Sequence, residues 1–126
     1  MSAMLEHVNV TVSDPKATAD WMADVFGWHI RWQGEAIGGG HTIHIGTDRQ
    51  YLAIYKPPGT VAEGSDSYVS RGGLNHVAVV VDDLDEIERK VRARGFAVGE
   101  HYDYEPGQRF YFDDPDGIEY EVVMYD

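Results

Sequence analysis

Two octets, LEHVNVTV from Leu5 and LNHVAVVV from Leu74, share Leu, His and Val at their first, third and fourth places. Each sets one histidine, His7 or His76, inside a run that reads as a buried β-strand. A third polar residue, Glu121, lies in a late strand pattern, IEYEVVMY, from Ile118. Two neutral imidazoles and one carboxylate form the facial ligand set that holds a divalent ion and leaves coordination positions open. A strand histidine also has a plain structural reading, as a core or rim residue whose ring nitrogens are satisfied by hydrogen bonds. The pattern leaves both readings open.

Strand side chains alternate between faces. His7 therefore shares a face with Leu5, Asn9 and Thr11, and His76 with Leu74, Ala78 and Val80. Glu121 shares one with Glu119 and Val123, while Tyr120 and Val122 point the other way, toward a helix. Burying those carboxylates is costly unless a cation compensates. In GQRFYFDD, Arg109 and Tyr111 share a face, with Phe110 and Phe112 opposite. Ile43-His44-Ile45 repeats the apolar–polar–apolar order of Phe110-Tyr111-Phe112, so His44 is the expected counterpart of Tyr111. A rim position for His44, an ordinary strand aromatic at Tyr111 and a solvated Arg109 fit the same pattern. His29, His41 and His101 have no repeat partner and read as surface residues.

The elements that position these residues recur. Residues 5–12 read as a strand, and Asp14-Pro15 as a helix start, N-cap followed by first helical residue. PKATADWMADVF carries Trp21, Met22, Val25 and Phe26 at helical spacing, and Gly27 can end it. WHIRWQ, HTIHIGT and YLAIYK are three further strands, giving the order β-α-β-β-β over residues 1–56. Residues 57–73, rich in Pro, Gly and Ser, read as a linker. The order restarts over residues 74–126: a strand, a cap at Asp82 or Asp83, a helix with Leu84, Ile87 and Val91 buried and ended by Gly95, then three strands. Asp114-Pro115-Asp116-Gly117 suits a tight reversal between the last two. Leu5, His7 and Val8 become Leu74, His76 and Val77 under one shift of 69 residues. Units of only about 50 residues pack side by side or exchange between chains.

Bulk properties narrow the function classes. The chain has 126 residues, 43% of them apolar, which fits one domain or two small halves sharing a core. Without cysteine, disulfides, thiolate nucleophiles and Cys-type zinc sites are excluded. No stretch is apolar enough for a membrane span and no signal-peptide pattern opens the chain, so a cytoplasmic location is expected. A net charge of −12 repels phosphate backbones and suits either a cationic ligand or a merely well-solvated surface. A small-molecule partner is expected, with neither nucleic acid nor membrane.

The repeat, the paired His-Val strands and the ending GQRFYFDDPDGIEYEVV resemble the vicinal oxygen chelate superfamily, which includes glyoxalase I, bleomycin-resistance proteins, fosfomycin-resistance thiol transferases and extradiol dioxygenases. The resemblance covers nearly the whole chain. It implies an α+β fold of two βαβββ modules forming a cup-shaped mixed sheet, helices outside, around a divalent Mn, Fe, Co, Ni or Zn ion. It also implies His7, His76 and Glu121 as metal ligands. The fourth ligand position falls at Leu52 or Ala53, neither of which binds a metal, so this chain departs from the glyoxalase I pattern there. A proton-shuttling base would come from His44, Tyr111 or Glu119, in that order, and Arg109 would pair with an anionic substrate group.

Three functions follow from the resemblance: a metal-dependent lyase, isomerase or transferase whose substrate chelates the ion through oxygens; an extradiol-type dioxygenase using Fe(II) or Mn(II); and a metal-free bleomycin-resistance-like protein sequestering a cationic ligand. Ile118 and Glu119 after the turn, and Arg109 where a small hydroxyl residue belongs, count against the thiol transferases. A homodimer is expected, with modules exchanged between chains as one form. Size-exclusion chromatography should give a dimer; a monomer at micromolar concentration would exclude the exchanged form.

Overall fold

Helix starts and turns determine the path of the chain, which a computed structural model describes over residues 1–126. The chain divides into two compact units, Met1–Ala62 and Glu63–Asp126. In the first, β1 (His7–Thr11) leads to α1 (Pro15–Phe26), β2 (His29–Glu35), β3 (His41–Gly46) and β4 (Tyr51–Lys56). Asp14 caps α1 by accepting from the Ala17 amide at 3.2 Å, and Gly27, at φ 72°, ends it in the left-handed conformation. The helix carries the chain to the far edge of the sheet. Short turns then bring it back, so the strand order is β1-β4-β3-β2, with β1 parallel to β4 and the other pairs antiparallel.

The second unit repeats this plan. A short 3-10 turn (Ser67–Val69) precedes β5 (Val77–Val80), α2 (Leu84–Ala93), β6 (Ala97–Tyr104), β7 (Gly107–Asp113) and β8 (Glu119–Tyr125). The order is β5-β8-β7-β6, with β5 parallel to β8. Asp83 rather than Asp82 caps α2, accepting from the Glu86 amide at 3.1 Å. This is the expected α+β pattern of two βαβββ modules. No helix is long and apolar enough to cross a membrane.

Each sheet buries one face against its own helix. In the first unit Trp21, Met22 and Val25 of α1 meet a sheet whose Ile43, Ile45 and Ile54 are at most 1% exposed. In the second, α2 supplies Leu84 and Val91, with Ile87 half-buried, over Phe110, Phe112, Tyr120 and Val122. Each large apolar side chain buried there contributes about 2 kcal/mol. The expectation that His7 and His76 are buried is corrected: their side chains are 43% and 35% exposed. Leu5 and Leu74 also lie outside the strands and are exposed. Both strands sit at sheet edges, and only the valines facing the helix are drawn inward; the histidines lie on the open face.

The Asp114-Pro115-Asp116-Gly117 turn has an internal explanation. Oδ1 of the buried Asp114 accepts from the amides of Asp116 (2.9 Å) and Ile118 (3.0 Å), and Oδ2 accepts from the hydroxyl of the fully buried Tyr120 at 3.1 Å. Burial pushes the Asp114 carboxyl above its usual range, and these donors partly offset that. The turn thereby fixes where β8 begins, and so which residues of β8 face away from the helix. Asp114→Ala removes the acceptor of the Asp116 and Ile118 amides and of the Tyr120 hydroxyl and should lower unfolding stability by about 3 kcal/mol, whereas Asp114→Asn, which keeps one acceptor, should lose about half as much. Urea denaturation midpoints compare the two; equal midpoints for Asp114→Ala and the parent chain would remove the turn from this role.

Candidate functional site

On the open face of the second sheet, Ala78 pairs with Glu121, which puts His76, two residues earlier, on the same side as Glu119 and Glu121. His76 Nε2 lies 3.7 Å from Glu121 Oε1, and its Nδ1 lies 3.5 Å from Glu119 Oε1. The Tyr68 hydroxyl donates to the same Glu119 oxygen at 2.6 Å and sits 3.4 Å from His76 Nδ1. The far nitrogen of the ring is thus tethered and Nε2 is aimed at Glu121. An imidazole held on one side by polar neighbours presents its other nitrogen in a fixed direction.

Glu121 itself is a nearly buried carboxylate. Tyr111 donates to its Oε1 at 2.6 Å and Arg109 Nη1 to its Oε2 at 3.5 Å. The Tyr111 bond and burial hold that phenol protonated, far above the ordinary tyrosine range. The Arg109 side chain is only 12% exposed and stacks over the Tyr104 ring at 4.8 Å, and its Nε has no hydrogen-bond partner. A cleft of about 380 Å³ opens beside these residues, lined by Tyr68, His76, Gly99, Glu100, Tyr102, Tyr104, Tyr111 and Glu119.

The open face of the first sheet is built on the same register with different side chains. His7 Nδ1 lies 2.9 Å from Glu6 Oε1, so a carboxylate again takes the Nδ1 side of the ring. The His7 ring stacks on Tyr51 (4.8 Å), Tyr51 on His44 (4.6 Å), and Trp32 tilts against His44 (5.1 Å). Arg31 covers the Tyr51 ring at 4.4 Å. Burial, then the neighbouring His7, holds the His44 imidazole below its usual pKa.

Strand pairing relates the two faces residue by residue. Asn9 pairs with Ala53 as Ala78 pairs with Glu121, and His44 pairs with Ala53 as Tyr111 pairs with Glu121. His44 therefore holds the register position of Tyr111, and Ala53 holds that of Glu121. Leu52, the other candidate, alternates to the helix side. Each edge strand also bulges at the same step, between Ile30 and Trp32 and between Val98 and His101. Bulges of this kind re-aim neighbouring side chains.

The second unit thus brings together His76, Glu119, Glu121, Tyr111 and Arg109, and the first unit holds His7 beside His44. No three His, Asp or Glu side chains stand together as a ready ligand group for a metal ion. Several site residues escaped the sequence reading. Tyr68 lay in a segment read as linker, where Pro, Gly and Ser outweighed one aromatic. Tyr102 and Tyr104 alternate in HYDY and could have been read as one face; Glu6 carried no signal beyond adjacency to His7, and Trp32 none beyond its place in strand β2. Of the histidines read as surface, His29 lies 3.3 Å from Asp48 and His101 lies 2.7 Å from Glu88, tying β6 to α2.

Two four-stranded mixed sheets of one topology, each with a single helix and an open face bearing a histidine at the start of its first strand, define a paired βαβββ protein. The chain belongs to the Glyoxalase/Bleomycin resistance protein/Dioxygenase superfamily, whose model matches residues 4–122. Among solved structures it is similar to a glyoxylase/bleomycin resistance protein/dioxygenase domain from a Frankia species (21% identity, TM-score 0.84, all of both chains). It is also similar to the fosfomycin resistance protein FosX from Listeria monocytogenes, in a mutant complexed with Mn(II) and 1S,2S-dihydroxypropylphosphonic acid (17% identity, TM-score 0.76, 98% of this chain and 93% of that one). A third is TnmS3, an antibiotic binding protein from a Streptomyces species (19% identity, TM-score 0.75, 99% of this chain and 98% of that one). No curated protein sequence matches the chain.

The imidazole ladder carries a titration prediction. Proton NMR of the histidine rings should give His44 a midpoint below the ordinary value of about 6.5. His7→Gln should raise that midpoint only part of the way, because burial is the larger cause. Below the unfolded-state value, folding then has to bring a charging imidazole into an unfavourable place, so this residue's contribution to stability falls as pH drops through that window. A midpoint at or above the ordinary value would contradict the assignment.

Proposed function

We propose that this chain is a metal-dependent enzyme of the superfamily, of lyase, isomerase or transferase type. Its substrate is a small molecule that chelates a divalent Mn, Fe, Co, Ni or Zn ion through oxygens, with His7, His76 and Glu121 as the protein ligands. The observation that carries this reading is the tethered His76, whose Nε2 faces a carboxylate oxygen 3.7 Å away while its Nδ1 is taken up by Glu119 and Tyr68. The donor chemistry fits a cation: an imidazole nitrogen and a nearly buried carboxylate share one face, and His7 shows the same Nδ1 tether. Mn(II) in the similar Listeria FosX supports the choice of a divalent ion. When bound, such an ion supplies Lewis acidity toward a developing oxyanion and lowers the pKa of a bound water.

The roles of the surrounding residues follow from their environments. His44, held neutral near pH 7, is the favoured proton acceptor. Tyr111, held protonated by Glu121, acts as a hydrogen-bond donor and ranks below it as a base. Glu119 orients His76 and shares one oxygen with Tyr68, which limits its own reach for a proton. Arg109 supplies positive charge at the edge of the site for an anionic group. A cytoplasmic homodimer belongs to the same reading.

One observation favours a second reading, a metal-free binding protein. Arg109 Nη1 already gives Glu121 a cationic neighbour at 3.5 Å, so the carboxylate has charge compensation without an ion. The similar antibiotic binding protein TnmS3 supports this alternative. Elemental analysis of protein purified without chelator separates the two. The enzyme reading expects about one divalent ion per site, lost in both His76→Ala and Glu121→Gln. No bound ion at any added metal concentration would sink it and leave the binding protein.

A further inference from the structure

The cleft beside His76 has walls of one chemical kind. Four tyrosines and two carboxylates, Glu100 and Glu119, line it, within about 380 Å³. Tyr102 stands nearly perpendicular to both neighbours, at 75° to Tyr104 (6.3 Å) and 85° to Tyr111 (5.8 Å), so the rings form adjoining sides of a box. Three of the four hydroxyls donate to carboxylates: Tyr68 to Glu119 (2.6 Å), Tyr102 to Glu100 (2.8 Å) and Tyr111 to Glu121 (2.6 Å). Those bonds take up three of the phenolic donors.

What remains for a ligand, besides the Tyr104 hydroxyl, is ring faces and carboxylate oxygens, which attract positive charge. A hydrated metal ion makes little use of ring faces; a cation clothed in carbon uses both. One ring already does so, since the Arg109 guanidinium lies 4.8 Å from the Tyr104 centroid. Gly99 lines the cleft at the bulge, where the two strands run so close that a Cβ would stand 3.3 Å from the Tyr111 carbonyl oxygen. We infer that this cleft binds the alkylammonium group of a small organic cation, so that the ligand of the His76–Glu121 centre carries a positively charged nitrogen as well as its oxygens. The inference rests on reading that centre as the place where the ligand's oxygens bind, and it holds for either an enzyme or a binding protein.

Choline and its uncharged carbon isostere, 3,3-dimethylbutan-1-ol, test it, because they share a shape and differ in charge. Each is titrated into the full chain with isothermal titration calorimetry as the readout, once with chelator and once with added Mn(II). Saturable choline binding, about fivefold or more tighter than the isostere, is expected in both conditions. Tyr102→Leu and Tyr104→Leu should each cut that preference by about threefold or more, while Tyr102→Phe, which keeps the ring, should hold it within about twofold. Equal binding of the two probes, no saturation by choline, or a preference unchanged in both leucine variants would overturn the inference. Absence of any bound Mn, Fe, Co, Ni or Zn ion with the preference intact would count against the enzyme reading alone. Bound Mn(II) without the preference would remove the ammonium subsite alone.

Discussion

Glu121 is a carboxylate held nearly out of water on the open face of a sheet, and the second unit is arranged around that fact. An ion in such a place needs compensation from groups already in position. Tyr111 reaches it from the neighbouring strand, Arg109 from two residues farther along that strand, and His76 from the strand on its other side. All three directions depend on the β5-β8-β7 pairing, with β8 in the middle. A slip of one residue in β8 would turn Glu121 toward the helix and bring Tyr120 or Val122 to the open face. The Asp114 turn guards against that slip by setting the start of the strand.

The same register in the first unit carries a different chemistry. Where the second sheet has a carboxylate at the central position, the first has Ala53; where the second has Tyr111, the first has His44. The result is a stack of imidazole, phenol and indole rings with one arginine over it, in place of a set of phenols bonded to carboxylates. Backbone symmetry is kept by hydrogen-bonded pairing, which is indifferent to side-chain identity. Function is free to diverge because the open-face residues take no part in the helix-facing core.

Much of this organisation was legible along the chain. The helices were marked by Asp14-Pro15 and by the Asp82-Asp83 cap pair, and the strand faces by simple alternation. The correspondence of His44 with Tyr111 followed from matching Ile43-His44-Ile45 to Phe110-Tyr111-Phe112, and the register agrees with it. Other features were not legible. His7 and His76 read as buried because their neighbours are valines, yet edge strands bury only the helix side. Tyr68 comes from a segment whose composition says only that it is not a strand or a long helix. Its contact with Glu119 spans 51 residues, and no local pattern encodes that.

The sequence by itself determined the repeated βαβββ plan, the helix boundaries and the set of polar residues sharing each sheet face. Those depend on local rules: a capping side chain, a glycine able to adopt positive φ, and a period of two. Only the tertiary structure decided that Ala53, and not Leu52, shares the open face with Asn9 and His44. It alone decided that His76 is tethered through Nδ1 by Glu119 and Tyr68, that Arg109 neutralises Glu121, and that four tyrosines close around one cleft. These depend on which strand lies beside which and in what register, and on the few ångströms between side chains far apart in the chain.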